Sequence, residues 1–390
     1  MKNARKYLVV ISSFFIMLCL GGFYGFSIFV PPLRQEYGFS AGQTQVILSL
    51  IILSFTVSFV IAGKLLVKLG PRISCIISAV LFSSGYILAS ISQGRLGLLV
   101  AGIGLLAGTA TGFGYVSCLT TPVQWFPKKR GTITGIAVAG FGAGAILLSF
   151  LVSSLFDRGY SVLFVFRALA VAYGSIIFLC SLVLVPPYKV QNNGVRLVGM
   201  GQMLKDKKFW LLFWLMFFGT FSGILVIGNL APIGLFYGAD NFYAVLAISM
   251  LSIGNFSGRI FWGRMTDTIG TKRAIFAAQL SLAVSVGLLI LLGGNNAGLV
   301  ILSFLVGAGF GSNFVLFAAE VCNTYSIQNL GRIYPFVHLS YGISGIMGPL
   351  AGGYFFDIGG TYLYSLAIAS IFAFLGSVSA IIFSRFFSKC

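Results

Sequence analysis

Apolar stretches of 21 to 28 residues alternate with short polar breaks along nearly the whole chain. They cover residues 7–32, 42–63, 72–92, 96–123, 132–155 and 161–185, then 209–234, 242–264, 273–293, 297–321, 332–354 and 362–385. A helix rises about 1.5 Å per residue, so about 20 apolar residues cross a hydrocarbon core of roughly 30 Å. Each stretch is long enough to be one span. The pattern predicts an all-α membrane protein of twelve transmembrane helices. An N-terminal six-helix bundle is expected at residues 1–185, a central loop at 186–208 and a C-terminal six-helix bundle at 209–390. The first stretch is too long for a signal-peptide core and lacks a cleavage signal, so it is expected to remain as a span.

The halves repeat at an offset of 200 positions. Pro32 matches Pro232, and Tyr37-Gly38 matches Tyr237-Gly238. Gly63, Gly70 and Arg72 match Gly263, Gly270 and Lys272, while Asp157 and Gly159 match Asp357 and Gly359. An even number of spans per half keeps both repeats in the same orientation. Parallel repeats of this kind predict a substrate site where the halves meet.

Composition agrees with the pattern and charge orients it. The chain is 58% hydrophobic and 8% charged, with a mean hydropathy of +1.01. A net charge of +18 could suggest nucleic acid, but the cations form no basic face. They sit in the breaks. With the N-terminus inside, one side collects Lys2, Arg5, Lys6, Lys64, Lys68, Arg72, Lys128, Lys129, Arg130, the central-loop cations, Arg264, Lys272, Arg273, Arg332, Arg385 and Lys389. The other side receives only Arg34, Arg95 and Arg158. The positive-inside rule then predicts cytoplasmic termini in a cell-membrane protein whose medium is the lipid bilayer. The six cysteines show no metal-ligand or disulfide spacing. No Walker loop, dinucleotide fingerprint or nucleophile–base pair appears. The expectation is a non-enzymatic monomer without cofactor, metal or nucleic-acid partner.

The stretch Asn255–Arg273 carries the most chemistry. Arg259 lies inside an apolar run, about 12 Å of helical rise from Asp267. If Asp267 marks the membrane surface, Arg259 is near the midplane, where a guanidinium costs at least about 2.5–3.5 kcal/mol. It is read as part of a substrate or ion pathway, against the blander reading of a structural arginine that caps carbonyls or pairs with a carboxylate. No acidic residue falls at matching depth. Its counterpart in the first half is Phe59, so the charge is not shared scaffold. A permanently protonated planar fork suits a carboxylate. His338, the sole histidine, is either a neutral group hydrogen-bonded in the bundle or a proton carrier or substrate contact. Asn229 and Asn313 are open between pocket lining and interhelical bonding. Arg167, about 9 Å from its span end, is read as a snorkelling structural residue. Asp267 and Glu320 are expected near the cytoplasmic surface, pairing with Arg130 or Lys128 as gate contacts.

These motifs resemble the major facilitator superfamily over the whole length. The loop signature G-x3-D-x2-G-x-[KR]-[KR] stands as Gly263, Asp267, Gly270, Lys272 and Arg273. The first-half copy has Val67 in the acid position. Three stretches are similar to the oxalate/formate antiporter and monocarboxylate transporter branch: W-F-P-K-K-R-G (Trp125–Gly131), M-L-K-D-K-K-F-W (Met203–Trp210) and G-R-x-F-W-G (Gly258–Gly263). That resemblance implies that Arg259 grips a substrate carboxylate. It places Asn255 where animal monocarboxylate transporters have a proton-coupling aspartate, and Tyr341 where oxalate carriers have a lysine. It also implies that Tyr24, Tyr115, Phe141, Phe310 and Phe314 face the cavity; Asp267, Lys272, Glu320 and Arg130 are the expected gate residues by their position near the cytoplasmic surface. Gly348–Gly353 resembles an antiporter motif but lies in the eleventh apolar run instead of the fifth.

The function expected from this reading is secondary transport of a small organic monocarboxylate (lactate, pyruvate or formate class) by alternating access, as symporter, exchanger or uniporter. Protons are the candidate co-substrate. An exporter of amphiphilic compounds is the first alternative, although a fixed cation repels cationic drugs. A non-transporting membrane sensor is the second, although a central loop this short cannot fold into an output domain.

Overall fold

The computed structural model describes residues 2–39, 41–187 and 197–386. Of the cations and cysteines counted above, Lys189 and Arg196 of the central loop, Lys389 and Cys390 lie outside the described residues. The described chain is helical almost throughout. α1 is Lys2–Leu20, followed by a 3₁₀ stretch, Gly21–Phe29, and α2, Val30–Tyr37. α3 is Ala41–Ser90, and α4 (Leu96–Leu99) runs through a π-helical stretch, Val100–Ala107, into α5, Gly108–Trp125. Then come α6 (Arg130–Asp157), α7 (Val162–Ser181), α8 (Met200–Lys205), α9 (Lys207–Phe236), α10 (Asn241–Ile269), α11 (Thr271–Leu292) and α12 (Asn296–Tyr325). A short 3₁₀ turn leads into α13 (Leu330–Val337), α14 (Leu339–Gly359) and α15 (Leu363–Phe386).

Ten helical runs among the described residues are long and apolar enough to cross a membrane. Twelve spans are nonetheless legible once the two arms of α3 are counted separately and the pair α13–α14 is added. α3 has 50 residues, or about 75 Å of rise against a core of roughly 30 Å. It breaks at Gly70, whose φ of 74° and ψ of 163° lie in a sector open essentially to glycine alone. The second and third spans are the two arms of this helix. Gly270, 200 residues later, makes the same kind of turn between α10 and α11, with φ 84° and ψ 148°. The repeat read from the sequence is thus written in backbone geometry. The eleventh span differs from a continuous helix, because it is split at His338 between α13 and α14. The first span also differs: its middle tightens to 3₁₀ where Gly21 and Gly25 lie against the backbone of α6 at Phe141 and Ala145.

The chain divides into two compact units, one of residues 1–127 and 137–193, the other of residues 128–136 and 194–390. In lipid the hydrophobic effect does not drive helices together, so close approach through small residues carries much of the association. In the second unit Gly254 and Gly258 of α10 lie on Phe304 and Ala308 of α12. Reciprocally, Gly307 and Gly311 of α12 lie on Leu251 and Asn255 of α10. A Cβ at any of the four would meet backbone of the facing helix. In the first unit Gly108 and Gly112 of α5 do the same against Ile51, Ser58 and Phe59 of α3. Outward faces carry large apolar side chains, among them Phe150, Phe242 and Leu291. The α10–α12 crossing matters most here, because it brings Arg259 onto the turn of α12 at residues 310–314.

Candidate functional site

Arg259 is wholly buried, at 0% exposure. Its Nε–H donates to Asn255 Oδ1 at 3.0 Å, one turn back on α10. Its guanidinium carbon lies 4.7 Å from the centroid of the Phe314 ring on α12, well inside cation–π range. Phe314 is the hub of an aromatic cluster. Phe310 meets it edge-on at 5.3 Å, Tyr341 edge-on at 5.2 Å and His338 at 5.6 Å. His338 and Tyr341 are 5.0 Å apart, centroid to centroid. Tyr334 stands 5.6 Å from His338, and its hydroxyl donates to the Phe314 carbonyl at 3.0 Å. The second unit therefore gathers buried Arg259, Phe310, Phe314, His338 and Tyr341 with half-buried Asn255 into one group. His338 sits at the helix break, where one side of the span is tied to α12 through Tyr334. On the other side Ser344 meets Thr220 of α9, oxygen to oxygen at 2.9 Å.

The first unit assembles the remaining nominated aromatics. Phe141 meets Tyr24 edge-on at 5.5 Å and Tyr115 at 5.0 Å. Phe55 and Phe59 join them, Phe59 lying 5.1 Å from Tyr115. The offset of 200 pairs Phe55, Phe59 and Phe141 with Asn255, Arg259 and Tyr341. Equivalent positions are all phenylalanine in one unit and polar in the other. Phe55, Tyr334 and Gly311 were not singled out from the sequence. Applying the offset to Asn255 would have found Phe55, whereas Tyr334 and Gly311 carry no local signal.

Gly311 has a testable consequence. A Cβ there would stand 2.7 Å from Asn255 Oδ1 and 3.2 Å from Arg259 Cγ. Gly311→Ala is expected to cost about 1–3 kcal/mol in stability, the usual range for overpacking, and to displace the Arg259 side chain. Thermal unfolding in detergent together with substrate affinity checks this. A variant with unchanged values in both removes the α10–α12 contact as the device that seats Arg259.

At the α6 end of the second unit, Asp267 has partners that differ from the expected loop cations. Its Oδ1 accepts the Gly131 N–H at 3.0 Å and its Oδ2 the Thr132 N–H at 2.8 Å. Both amides belong to the first turn of α6, where a carboxylate satisfies orphan donors and complements the helix dipole. Asp267 is exposed, whereas Glu320 is buried, at 2% exposure. It accepts from Asn323 Nδ2 at 3.5 Å, with Lys272 in electrostatic reach. Arg130 opens α6 and lies in electrostatic reach of Cys322. Asn313 proves to be interhelical: its Oδ1 accepts from Gln279 Nε2 at 2.9 Å. Asn229 donates to the Leu225 carbonyl of its own helix. Arg167 is exposed. No cluster of three or more metal-ligating side chains occurs among the described residues.

The geometry is a buried cation oriented by an amide and floored by an aromatic ring, which suits a planar anion. Known proteins supply the wider frame. The chain is 27% identical to the uncharacterized MFS-type transporter YhjX of Escherichia coli (strain K12) over 347 residues, 87% of this chain and 86% of the relative. It is 25% identical to the oxalate:formate antiporter of Oxalobacter formigenes, over 88% of this chain and 83% of the antiporter. Human monocarboxylate transporter 11 is 23% identical, over 92% and 79% respectively. In fold it is similar to a crystal structure of the E. coli fucose:proton symporter FucP, with a TM-score of 0.74 at 16% identity, over 97% of this chain and 98% of the symporter. The sequence model of the Major Facilitator Superfamily matches residues 11–319 and 225–389. With twelve spans in two repeats and the full loop signature at Gly263–Arg273, this chain belongs to the Major Facilitator Superfamily and is a multi-pass membrane transporter.

Proposed function

We propose that the chain carries a small organic monocarboxylate of the lactate, pyruvate or formate class, held by Arg259. One observation carries the reading: a guanidinium at 0% exposure, with its Nε committed to Asn255 and its plane seated by Phe314. Burying such a charge is expensive. An arriving carboxylate offsets that cost through paired charge-assisted hydrogen bonds. Oxalate and formate, the substrates named for one relative, are both carboxylates, which supports the same class. Tyr341 adds a hydroxyl instead of a second cation, which favours one carboxylate over two. Tyr24, Tyr115 and Phe141 are the substrate-contacting candidates of the first unit.

In this reading Asp267, Lys272, Glu320 and Arg130 form the gate. The termini are cytoplasmic, and the protein works as a monomer in the cell membrane. The reading is tested by counterflow in proteoliposomes with labelled formate, lactate, pyruvate and oxalate. Exchange of the monocarboxylates is expected. Transport of cationic amphiphiles with no carboxylate exchange would overturn it.

Proton coupling, where present, runs through His338, because Asn255 cannot exchange a proton in the physiological range. A proton on His338 would balance the charge of the anion at Arg259. An imposed inward proton gradient is expected to accelerate uptake in the parent and not in His338→Gln. Equal acceleration in both removes His338 from the mechanism. No acceleration in the parent leaves exchange or uniport centred on Arg259.

A further inference from the structure

Gln279 on α11 and Asn313 on α12 are 2% and 0% exposed, and the gate and clamp use neither. Asn313 is fixed to its own helix, since its Nδ2 donates to the Gly309 and Phe310 carbonyls at 3.3 and 3.0 Å. Gln279 Nε2 then donates to Asn313 Oδ1 at 2.9 Å. Two further helices close on the pair through glycines. A Cβ at Gly219 of α9 would overlap both amides, and one at Gly376 of α15 would stand 3.2 Å from Gln279 Oε1. Gln279 Oε1 is buried with no hydrogen-bond partner among the described residues.

That acceptor is informative. A buried unsatisfied oxygen is unfavourable, and replacing both partners of such a bond by apolar groups of similar shape is neutral or stabilising. Packing alone would be served at least as well by two leucines. What leucines cannot supply is direction. The next residue after Asn313 is Phe314, the ring under Arg259, and Phe310 and Gly311 precede it on the same turn. A helix with side chains is about 5–6 Å in radius, so a 20° rotation of α12 would move the Phe314 ring by about 2 Å. Starting from 4.7 Å, a shift of that size directed away from Arg259 takes the ring beyond cation–π range, about 6 Å.

We infer that the Gln279–Asn313 amide pair is a positioning device that sets the rotation of α12 and so holds Phe314 against Arg259. Its consequence for anion affinity rests on the reading of Arg259 as the carboxylate clamp. The ring position itself does not.

The test is the double variant Gln279→Leu/Asn313→Leu in the full chain. 4-Fluorophenylalanine placed at position 314 reports the ring by ¹⁹F NMR in detergent. The expected result is a thermal midpoint equal to or above the parent's, a displaced ¹⁹F resonance and a KM for labelled lactate raised about tenfold. Maximal rate should stay within about twofold. In a Phe314→Leu background the double variant should raise KM no further, because it acts through that ring. An unmoved resonance overturns the inference. So does a fall in thermal midpoint or failure to fold, since either makes the pair a stability element. A moved resonance with unchanged lactate KM upholds the positioning of Phe314 and overturns the clamp reading instead.

Discussion

Arg259→Lys is expected to lower the transport efficiency for the proposed monocarboxylate substrates by roughly 50-fold, within the range set by about 1.5–3 kcal/mol for a hydrogen bond to a charged group. Lysine keeps the charge, so a purely electrostatic role would leave the variant nearly intact. It has no Nε–H to donate to Asn255, which holds the native side chain at 3.0 Å. It also lacks the planar fork that meets both carboxylate oxygens, and its ammonium sits on a flexible stem in place of a plate over Phe314. Most of the loss is expected in KM, as it would be for a contact made to bound substrate. Arg259→Ala should bind still more weakly while folding at least as stably, because it removes a buried charge. Initial-rate uptake in proteoliposomes and thermal unfolding separate these effects. A lysine variant with near-normal affinity would sink the clamp.

Asp267→Asn is expected to slow maximal transport by about tenfold and to change KM by less than about twofold, because the residue touches the start of α6 and not the buried group around Arg259. Its two oxygens accept from consecutive amides, Gly131 and Thr132. Asparagine can serve only one of them and turns an N–H toward the other, which forfeits a hydrogen bond worth about 0.5–1.5 kcal/mol net at this exposed position. It also withdraws a negative charge from the start of α6, worth typically about 0.3–1 kcal/mol at a partly exposed site. In the gate reading of Asp267, the transport cycle has one state with these bonds and one without. Weakening the first shifts the balance between states without touching the clamp. Substrate affinity in detergent, set against turnover in liposomes, decides the matter. Loss of affinity with turnover preserved at saturation would move Asp267 out of the gate.

Much of this molecule was legible in the sequence for local reasons. Apolar run length is a property of consecutive residues, and a span must satisfy its backbone within itself, so spans follow directly from composition. The repeat showed as matched glycines and prolines, whose backbone roles leave little choice of residue; Gly70 and Gly270 bear this out. Arg259 stood out because a charge in an apolar run is costly wherever the chain goes.

The tertiary structure decided what touches what. Asp267 finds its partners on a helix start 135 and 136 residues away, and backbone amides have no sequence signature. The family resemblance marked Phe314 as a cavity aromatic, but only the α10–α12 crossing places it against a guanidinium. The break at His338 falls past Pro335, whose missing N–H disturbs the turn before it, so nothing at position 338 itself marked the split. Gln279 sits in an unremarked stretch, and only the approach of α9, α12 and α15 around it makes its amide a point of register. Run length, charge and glycine spacing are carried by neighbours in sequence. Rotation of one helix against another is set by side-chain interlock among four helices, and no local pattern encodes it.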